Sequence, residues 1–529
     1  MINKTDLSVR FLAVIVLCLL SQTGFTEEDG RFDLWELRVK GNTLLERQAI
    51  ERTVYQFLGK GKNIDTVEKA RTALEEVYHA KGFQTVAVDI PEQDVVGGVV
   101  FLSVTEGKVS RLRVTDSRYF SLGKIKAQVP ELAEGKVPNM PVMQQQLTEL
   151  SKQSPDRSIV PILRAGETPG TVEVDLKVND SIPVHGKVEV NGRNVANTTR
   201  LRTVASLRYD NLWQSLHSAS FMYQTAPEAP DEVEVMVGTY VLPIFQSDAK
   251  LAFYGVRSSS NSQIANAGAM SVIGNGDIFG GRLIKQLPAK DNYSHTVTVG
   301  ADYKSFSEDL KLLGADSMRT PISYLPFMAQ YTGNLSSEKS MLSFNVGVDF
   351  SIRGLGNDAQ EFANKRYLAK PNYLMLSSDI DYKYSLPWDM NFVSRISGQI
   401  TDSPIISNEQ YAIGGDQSVR GYYETQVLTD DGLQGSVELH SPRLVPLDGA
   451  WESVDSLRGL VFLDAGRGWI KKALPGVESK YNLAGGGVGL RFRGWKYLVA
   501  NLDLAFPFIS QGTIQSGDPR LHFRVATEF

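Results

Sequence analysis

From residue 184 to the C-terminus, apolar and polar residues alternate with a period of two. In "MLSFNVGVDFSI", Leu342, Phe344, Val346, Val348 and Phe350 share one face, and Ser343, Asn345, Gly347, Asp349 and Ser351 share the other. "YLMLSSDIDYKYSL" repeats the arrangement, with Leu374, Leu376, Ile380, Tyr382 and Tyr384 opposite Ser377, Asp379, Asp381 and Lys383. "EVEVMVGTYVL", "HTVTVGADYKSF" and "FVSRISGQIT" follow the same rule. Successive side chains of a strand point to opposite faces, so each run predicts a strand with two unlike sides. Such strands build either a sandwich with one wet face or a barrel with a lipid-facing exterior and a polar lumen.

Three features favour the barrel. No helical period interrupts the alternation after residue 184, and a sandwich of that length would normally split into domains. Tyr and Phe recur near the ends of the runs, where aromatic girdles sit. The chain also stops inside an alternating run, "RLHFRVATEF", with Leu521, Phe523, Val525 and Phe529 on one face and Arg520, His522, Arg524 and Glu528 on the other. Closure removes the edge that a free final strand would leave. At roughly 20 to 23 residues per strand and connection, with even numbers the rule, the region predicts a transmembrane antiparallel β-barrel of about 16 strands. A lumen that wide has to be filled or gated.

Residues 30–181 follow other periods. "FDLWELRVKGNTLL" has strand character, and "ERQAIERTVYQFLG" places Ile50, Val54 and Phe57 on one helical face before Gly59. "NIDTVEKARTALEEVYHAKGF" predicts a stronger helix, with Asp65 as its cap, Val67, Ala70, Leu74, Val77 and Tyr78 as its apolar stripe, and Gly82 as its stop. "QTVAVDIP" and "GGVVFLSVTEG" are then strands. The same order recurs more weakly in "VSRLRVTDSRYF", "LGKIKAQVPEL", "PVMQQQLTELSKQ", "IVPILRAGE" and "GTVEVDLKV". Two tandem α+β units, 30–107 and 108–181, therefore precede a barrel spanning 182–529.

Lys4 and Arg10 precede "FLAVIVLCLL", and "SQTGFT" follows, the charged, apolar and small-residue succession of a secretory signal over residues 1–26. Cys18, the single cysteine, lies inside it, and Leu17 before it is not the small residue a lipoprotein would carry. The exported chain then has no thiol for disulfides or metal sites. Net charge is −5, from 55 Lys+Arg against 60 Asp+Glu in 529 residues. Without a basic excess, nucleic-acid binding has no footprint. No Gly-x-x-x-x-Gly-Lys-Ser/Thr motif offers a nucleotide site, and no Gly-x-Ser-x-Gly offers a nucleophile. His440 in "VELHSPRL" reads as a lumen-facing strand residue, so neither enzymatic activity, a cofactor nor a metal is expected.

One stretch departs from the alternation. "GGDQSVRGYYE", residues 414–424, sets a cation and two tyrosines among glycines. Asp464, in "GLVFLDAGRGW", lies 44 positions after Arg420 and shares its strand face with Phe462 and Gly466, while Val461, Leu463 and Ala465 point the other way. An arginine fork suits such a carboxylate, Gly414 and Gly415 allow a loop to hinge inward, and Tyr422 can pack on the wall and use its hydroxyl.

These residues carry a family resemblance. The tandem units resemble POTRA domains, and Val419, Arg420, Gly421 and Tyr422 resemble the signature of the sixth extracellular loop in the outer-membrane protein-assembly superfamily. Phe462, Asp464 and Gly466 resemble the partner motif on the barrel wall. Two such units before about 16 strands are similar to two-partner secretion transporters of the hemolysin secretion/activation type. The resemblance implies an outer-membrane pore with periplasmic POTRA domains, whose loop around 414–424 locks inward, and which exports a partner exoprotein of adhesin or hemolysin type. It further implies contact with outer-membrane lipid, and insertion by the barrel assembly machinery through a C-terminal signal ending at Phe529. An assembly factor of the same superfamily is the alternative. The first strand begins close to the expected cleavage site, which leaves no room for the plug helix that opens some of these transporters.

Overall fold

The computed structural model describes residues 30–244, 247–260, 274–310, 318–446 and 453–529. The expected signal segment and Cys18 lie outside them. The chain divides into two compact units, up to Ile182 and from Pro183 onward.

In the first unit, Glu36–Lys40 pairs in parallel with Val99–Glu106, which pairs antiparallel with Val86–Asp89. Helices Arg47–Val54 and Ile64–Ala80 cover one side of this sheet. Val67, Ala70, Leu74 and Tyr78, all fully buried, meet Leu34, Val88 and Leu102 there. Burial, with Glu106 nearby, raises the Tyr78 phenol above its ordinary range, so it stays protonated and donates to Asn42 at 2.6 Å. Asn63, not Asp65, caps the long helix: its side chain accepts from the Thr66 N–H at 3.2 Å, and Asp65 falls within the first turn. Gly82, at φ 95°, ends the helix as expected. A short strand over Gly59–Lys62, read from the pattern only as a helix stop, pairs with Phe32–Leu34.

The same order returns in Lys108–Thr115, the helices Leu122–Ala127 and Met140–Lys152, and the strands Arg157–Ala165 and Thr171–Asp180. The last of these is central, parallel to the first and antiparallel to the second.

In the second unit, sixteen strands from Val184–Asn191 to Arg520–Glu528 close an antiparallel barrel. The eighth is in two pieces, Met318–Tyr324 and Pro326–Ser336, both paired with Tyr293–Leu310. Pro326, which has no N–H to give to a ladder, opens the second piece. The closing seam joins five residue pairs, from Arg524–Asn191 to Glu528–Lys187. Phe529 extends it, exchanging backbone bonds of 2.9 and 3.0 Å with Gly186.

Two expectations of this region change. The alternation hides a seven-residue helix, Ala359–Lys365, in the connection between the ninth and tenth strands, capped by the Asp358 side chain on Gln360 N–H at 2.6 Å. The inner wall is also not uniformly polar. Val235, Val237, Val256, Ile278, Phe306 and Ile322 are buried there against Phe362 of that helix and against Ile405 and Ile406. Apolar residues face inward at these positions because connections fold in and pack on them.

Candidate functional site: a connection folded into the lumen

Residues 402–430 join the eleventh strand, Asn391–Thr401, to the twelfth, Asp431–His440. They form a narrow ribbon, with Tyr411–Ile413 pairing antiparallel to Val427–Thr429. Gly414 and Gly415, at φ 110° and 112°, turn the chain at the end of the ribbon, in a region that favours glycine. Gly414 N–H is held by the Ser418 hydroxyl at 3.0 Å, and Gly415 N–H by the Val419 carbonyl at 3.2 Å. Val419 and Tyr422 are fully buried with Ile413, Val427 and Leu483.

At the tip, Arg420 meets the thirteenth strand, Ser456–Trp469. Its Nε and Nη2 donate to the two carboxylate oxygens of Asp464 at 2.8 and 2.9 Å, and its backbone N–H adds a bond of 3.1 Å. The fork reaches further: Nη2 donates to Ser436 Oγ at 3.1 Å, and Nη1 lies 2.7 Å from Glu438 and 3.5 Å from Asp503. The guanidinium stacks 3.5 Å from the centroid of the Phe462 ring, a cation–π contact in a desolvated setting. Asp503 is bound in turn by Arg491 at 2.6 and 2.9 Å, and Glu438 by His440 at 2.8 Å. Three carboxylates thus share two guanidiniums and one imidazole. Bidentate, charge-assisted geometry of this kind fixes orientation as well as supplying energy.

The period of two places the wall residues as expected: Phe462 and Asp464 are 3% exposed, whereas Val461 and Leu463 are 53% and 58% exposed on the outer face. Gly466, the third wall residue, makes room, since a Cβ there would lie 3.0 Å from Val419 and collide with Ile413. Gly485 does the same for the Arg420 carbonyl. Overpacking of this kind costs about 1–3 kcal/mol. Gly485→Ala is therefore expected to lift the tip, seen as faster proteolysis within 414–426 at an unchanged level of inserted barrel.

Gly421, at φ 99°, donates its N–H to His522 Nε2 at 3.0 Å. The Tyr422 hydroxyl sits 3.0 and 2.7 Å from the carbonyls of Ala484 and Ile509. On the other side of the closing seam, Asp416 pairs with Arg193 at 2.9 Å, and Glu424 N–H donates to the Asn194 carbonyl at 3.1 Å. The tip therefore grips both the last strand and the connection after the first. Below it, a cavity of about 400 Å³ is lined by Lys383, Arg395, Glu438, His440, Arg458 and Asp503 among others.

The pattern of the sequence brings Arg420, Tyr422, Phe462, Asp464 and Gly466 to this point. It misses Ser436, Glu438, Asp503 and His522, although a signal existed. Ser436 stands directly across from Asp464, and Glu438 across from Phe462, so inward polar positions on flanking strands could have been matched once the register was known.

Two further anchors also went unread. Glu409, on the arm that enters the lumen, accepts from Lys304 Nζ at 2.6 Å and from the Tyr324 hydroxyl at 2.5 Å. Asp430, at the exit and fully buried, takes both arms of the Arg366 fork and the backbone N–H groups of Ile405 and Lys471 at 3.2 and 2.7 Å. Arg366 directly follows the short helix, whose Phe362 packs edge-on against Tyr324 with ring centroids 5.5 Å apart. The two inward-folded connections are thereby tied into one body.

A closed sixteen-strand barrel, preceded by α+β modules and occluded by a connection that binds its wall, defines an outer-membrane transporter of the POTRA-plus-barrel class. The family profile described as haemolysin secretion/activation protein ShlB/FhaC/HecB matches residues 170–492, and that of the ShlB-type POTRA domain matches residues 32–107. The chain belongs to the haemolysin secretion/activation family. Among its relatives is the outer membrane transporter CdiB of Dickeya dadantii (strain 3937), 21% identical over 526 residues, which span 94% of this chain and 87% of that one. CdiB-2 of Burkholderia pseudomallei (strain 1026b) is 22% identical over 481 residues, 84% of this chain and 74% of its own. The solved structure of CdiB from Escherichia coli is similar with a TM-score of 0.59 at 18% identity, over 97% and 93% of the two chains. BamA from Haemophilus ducreyi lacking POTRA domains 1–3 has a TM-score of 0.58 at 13% identity, a likeness of fold alone.

Proposed function

We propose that the chain captures one unfolded exoprotein, of adhesin or hemolysin type, on its periplasmic modules (residues 30–107 and 108–181) and passes it through the barrel of residues 182–529 to the cell surface. The arginine-to-wall arrangement supports this reading most directly: Val419, Arg420, Gly421 and Tyr422 seat against Phe462, Asp464 and Gly466, and this seat has to open before a chain can thread the lumen. Gly414 and Gly415 are the hinge on which the tip turns. Buried ion pairs are weak sources of net stability, and their better-attested use is to specify one conformation. Folding of the partner outside the cell, which removes chain from the lumen, supplies the drive without nucleotide.

Phe529, directly after the closing strand, is the insertion signal read by the barrel assembly machinery, and outer-membrane lipid is the other partner. The chain is read as a pore and not an enzyme, in keeping with its membership of a family of secretion transporters. Deleting the gene is expected to remove one secreted or surface polypeptide while other outer-membrane barrels stay at normal levels. A joint fall of many barrels would instead establish the assembly-factor alternative.

A further inference from the structure

The backbone hydrogen bonds of the periplasmic sheets separate two outer edges that the fold makes equivalent. In the first module, Gly107 N–H bonds the Thr85 carbonyl at 3.2 Å, so odd-numbered residues of Val86–Asp89 face Val99–Glu106 and Val86 and Val88 face outward. Every outward group there is already satisfied. Val88 N–H donates to Glu75 at 3.1 Å, the Val88 carbonyl accepts from Arg71 at 3.2 Å, and the Val86 carbonyl accepts from His79 at 3.1 Å. Val86 N–H bonds Phe83 at 3.3 Å. Where this strand ends, the Gln93 amide takes over both backbone groups of Phe101, at 2.8 and 2.7 Å. Arg71, Glu75 and His79 lie four residues apart on the helix Ile64–Ala80, so one helical face seals the edge.

The second module has no such seal. Gly166 N–H to the Thr171 carbonyl and Ser181 N–H to the Asp156 carbonyl, both 2.9 Å, set the register, so odd-numbered residues of Arg157–Ala165 face outward. The corresponding helix, Met140–Lys152, spends its polar side chains elsewhere: Gln145 bonds Glu149 at 2.8 Å, Thr148 bonds the Gln144 carbonyl at 2.7 Å, and Gln146 accepts from the Glu131 N–H at 3.1 Å. Among the described residues, nothing bonds the N–H and C=O of Ile159, the C=O of Pro161, or the N–H and C=O of Leu163. The opposite edge of this sheet is covered, with Val109 bonding Lys136 and Gly135 at 2.8 and 2.7 Å. The remaining edge of the first module, Glu36–Lys40, is only five residues long against nine here.

We infer that the exported polypeptide adds an extended segment to the outer edge of Arg157–Ala165, and not to Val86–Asp89. This rests on the reading that the modules capture the partner. An unpaired edge is a template for an added strand. The chemistry of the occupant follows from the exposed face beside this edge. Val160, 57% exposed, and Ile162 would flank β-branched residues of the incoming strand. Across the same face stand Arg111, Arg113, Arg164 and Lys177 against Glu173 and Asp175. Arg164 shares Asp175 with Arg113, at 3.2 and 2.7 Å, and this surplus of cations favours an acidic residue in the incoming strand. Pro161 leaves one gap in the edge, a missing donor that weakens pairing without preventing it.

The test uses the full-length chain in cells that synthesise its partner, with a benzophenone amino acid in place of Val160, Ala87 or Arg38. An adduct with the exported polypeptide is expected from Val160 and not from Ala87 or Arg38. Pro161→Ala restores the missing outward N–H without touching the native ladder. It is expected to raise the adduct yield at Val160 about two- to tenfold, the worth of one hydrogen bond. Adducts at Ala87 or Arg38 but not at Val160 would overturn the edge assignment, as would a Pro161→Ala yield equal to wild type. Secretion with no adduct at any of the three positions would also reject the edge while leaving export itself standing. Absence of secretion by the unaltered chain would reject the export reading.

Discussion

Replacing Arg420 by alanine is expected to reduce secretion of the partner at least tenfold, while a barrel still inserts and still resists SDS. The substitution strips Asp464 of its bidentate partner and Glu438 of its contact at 2.7 Å, leaving three carboxylates at this point with Arg491 and His440. Removing one member of a buried pair costs about 3–5 kcal/mol, most of it from the charge left behind. The loop then has no reason to return to one seat. Because the same tip bonds His522 on the last strand and Arg193 beyond the first, its release also loosens the closing seam of five residue pairs. Arg420→Lys is not expected to rescue secretion, since a point charge cannot serve Asp464, Ser436 and Glu438 together. Asp464→Ala should resemble Arg420→Ala, and the double variant should be no worse than either, because each single change strands a charge that the double change removes. Secretion at wild-type levels from both single variants would reject the proposed lock.

The second large effect is expected at Asp430, which no motif announces. Asp430→Ala leaves the Arg366 guanidinium and the N–H groups of Ile405 and Lys471 without their acceptor in a fully buried setting. The cost is again about 3–5 kcal/mol, and it falls on the bond that ties the helix Ala359–Lys365 to the inward-folded connection. The expected outcome is leakiness: purified Asp430→Ala should spend more time at high-conductance levels in a planar bilayer than the parent chain. Arg366→Ala should match it, and Arg420→Ala with Asp430→Ala should leak more than either alone. A closed Asp430→Ala channel would show that the tip by itself plugs the lumen.

The barrel was legible because lipid on one side and water on the other impose a period of two that no other environment imposes for so long. The face of Asp464 could be assigned from that period alone, and so could the inward direction of Phe462. The apolar inner wall could not. Val235 and Val237 alternate with Glu234 and Met236 as a lipid-facing row would, and only the arrival of Phe362, Ile405 and Ile406 from remote connections makes burial on the inside favourable. The helix Ala359–Lys365 escaped for the same reason, being seven residues long and held by tertiary packing rather than by an amphipathic repeat. Asp430 and Glu409 went unread because their partners, Arg366 and Lys304, lie 64 and 105 residues away, a pairing that only topology can make. In the periplasmic modules, Asn63 displaced Asp65 as cap by two positions. Both side chains can cap, and the hydrogen bond to Thr66 decides between them.

The inner wall has two chemistries, one built from Val235, Val256, Ile278 and Ile322, the other from Glu438, Asp464, Arg491 and Asp503. Water wets the second and shuns the first. In the proposed open state, with the inward-folded connections withdrawn, the lumen is expected to be a pipe with one dry side and one conducting side. Ions would then follow the charged track and an unfolded chain would slide its apolar residues along the dry one, so that current and cargo would take different lanes through the same pore.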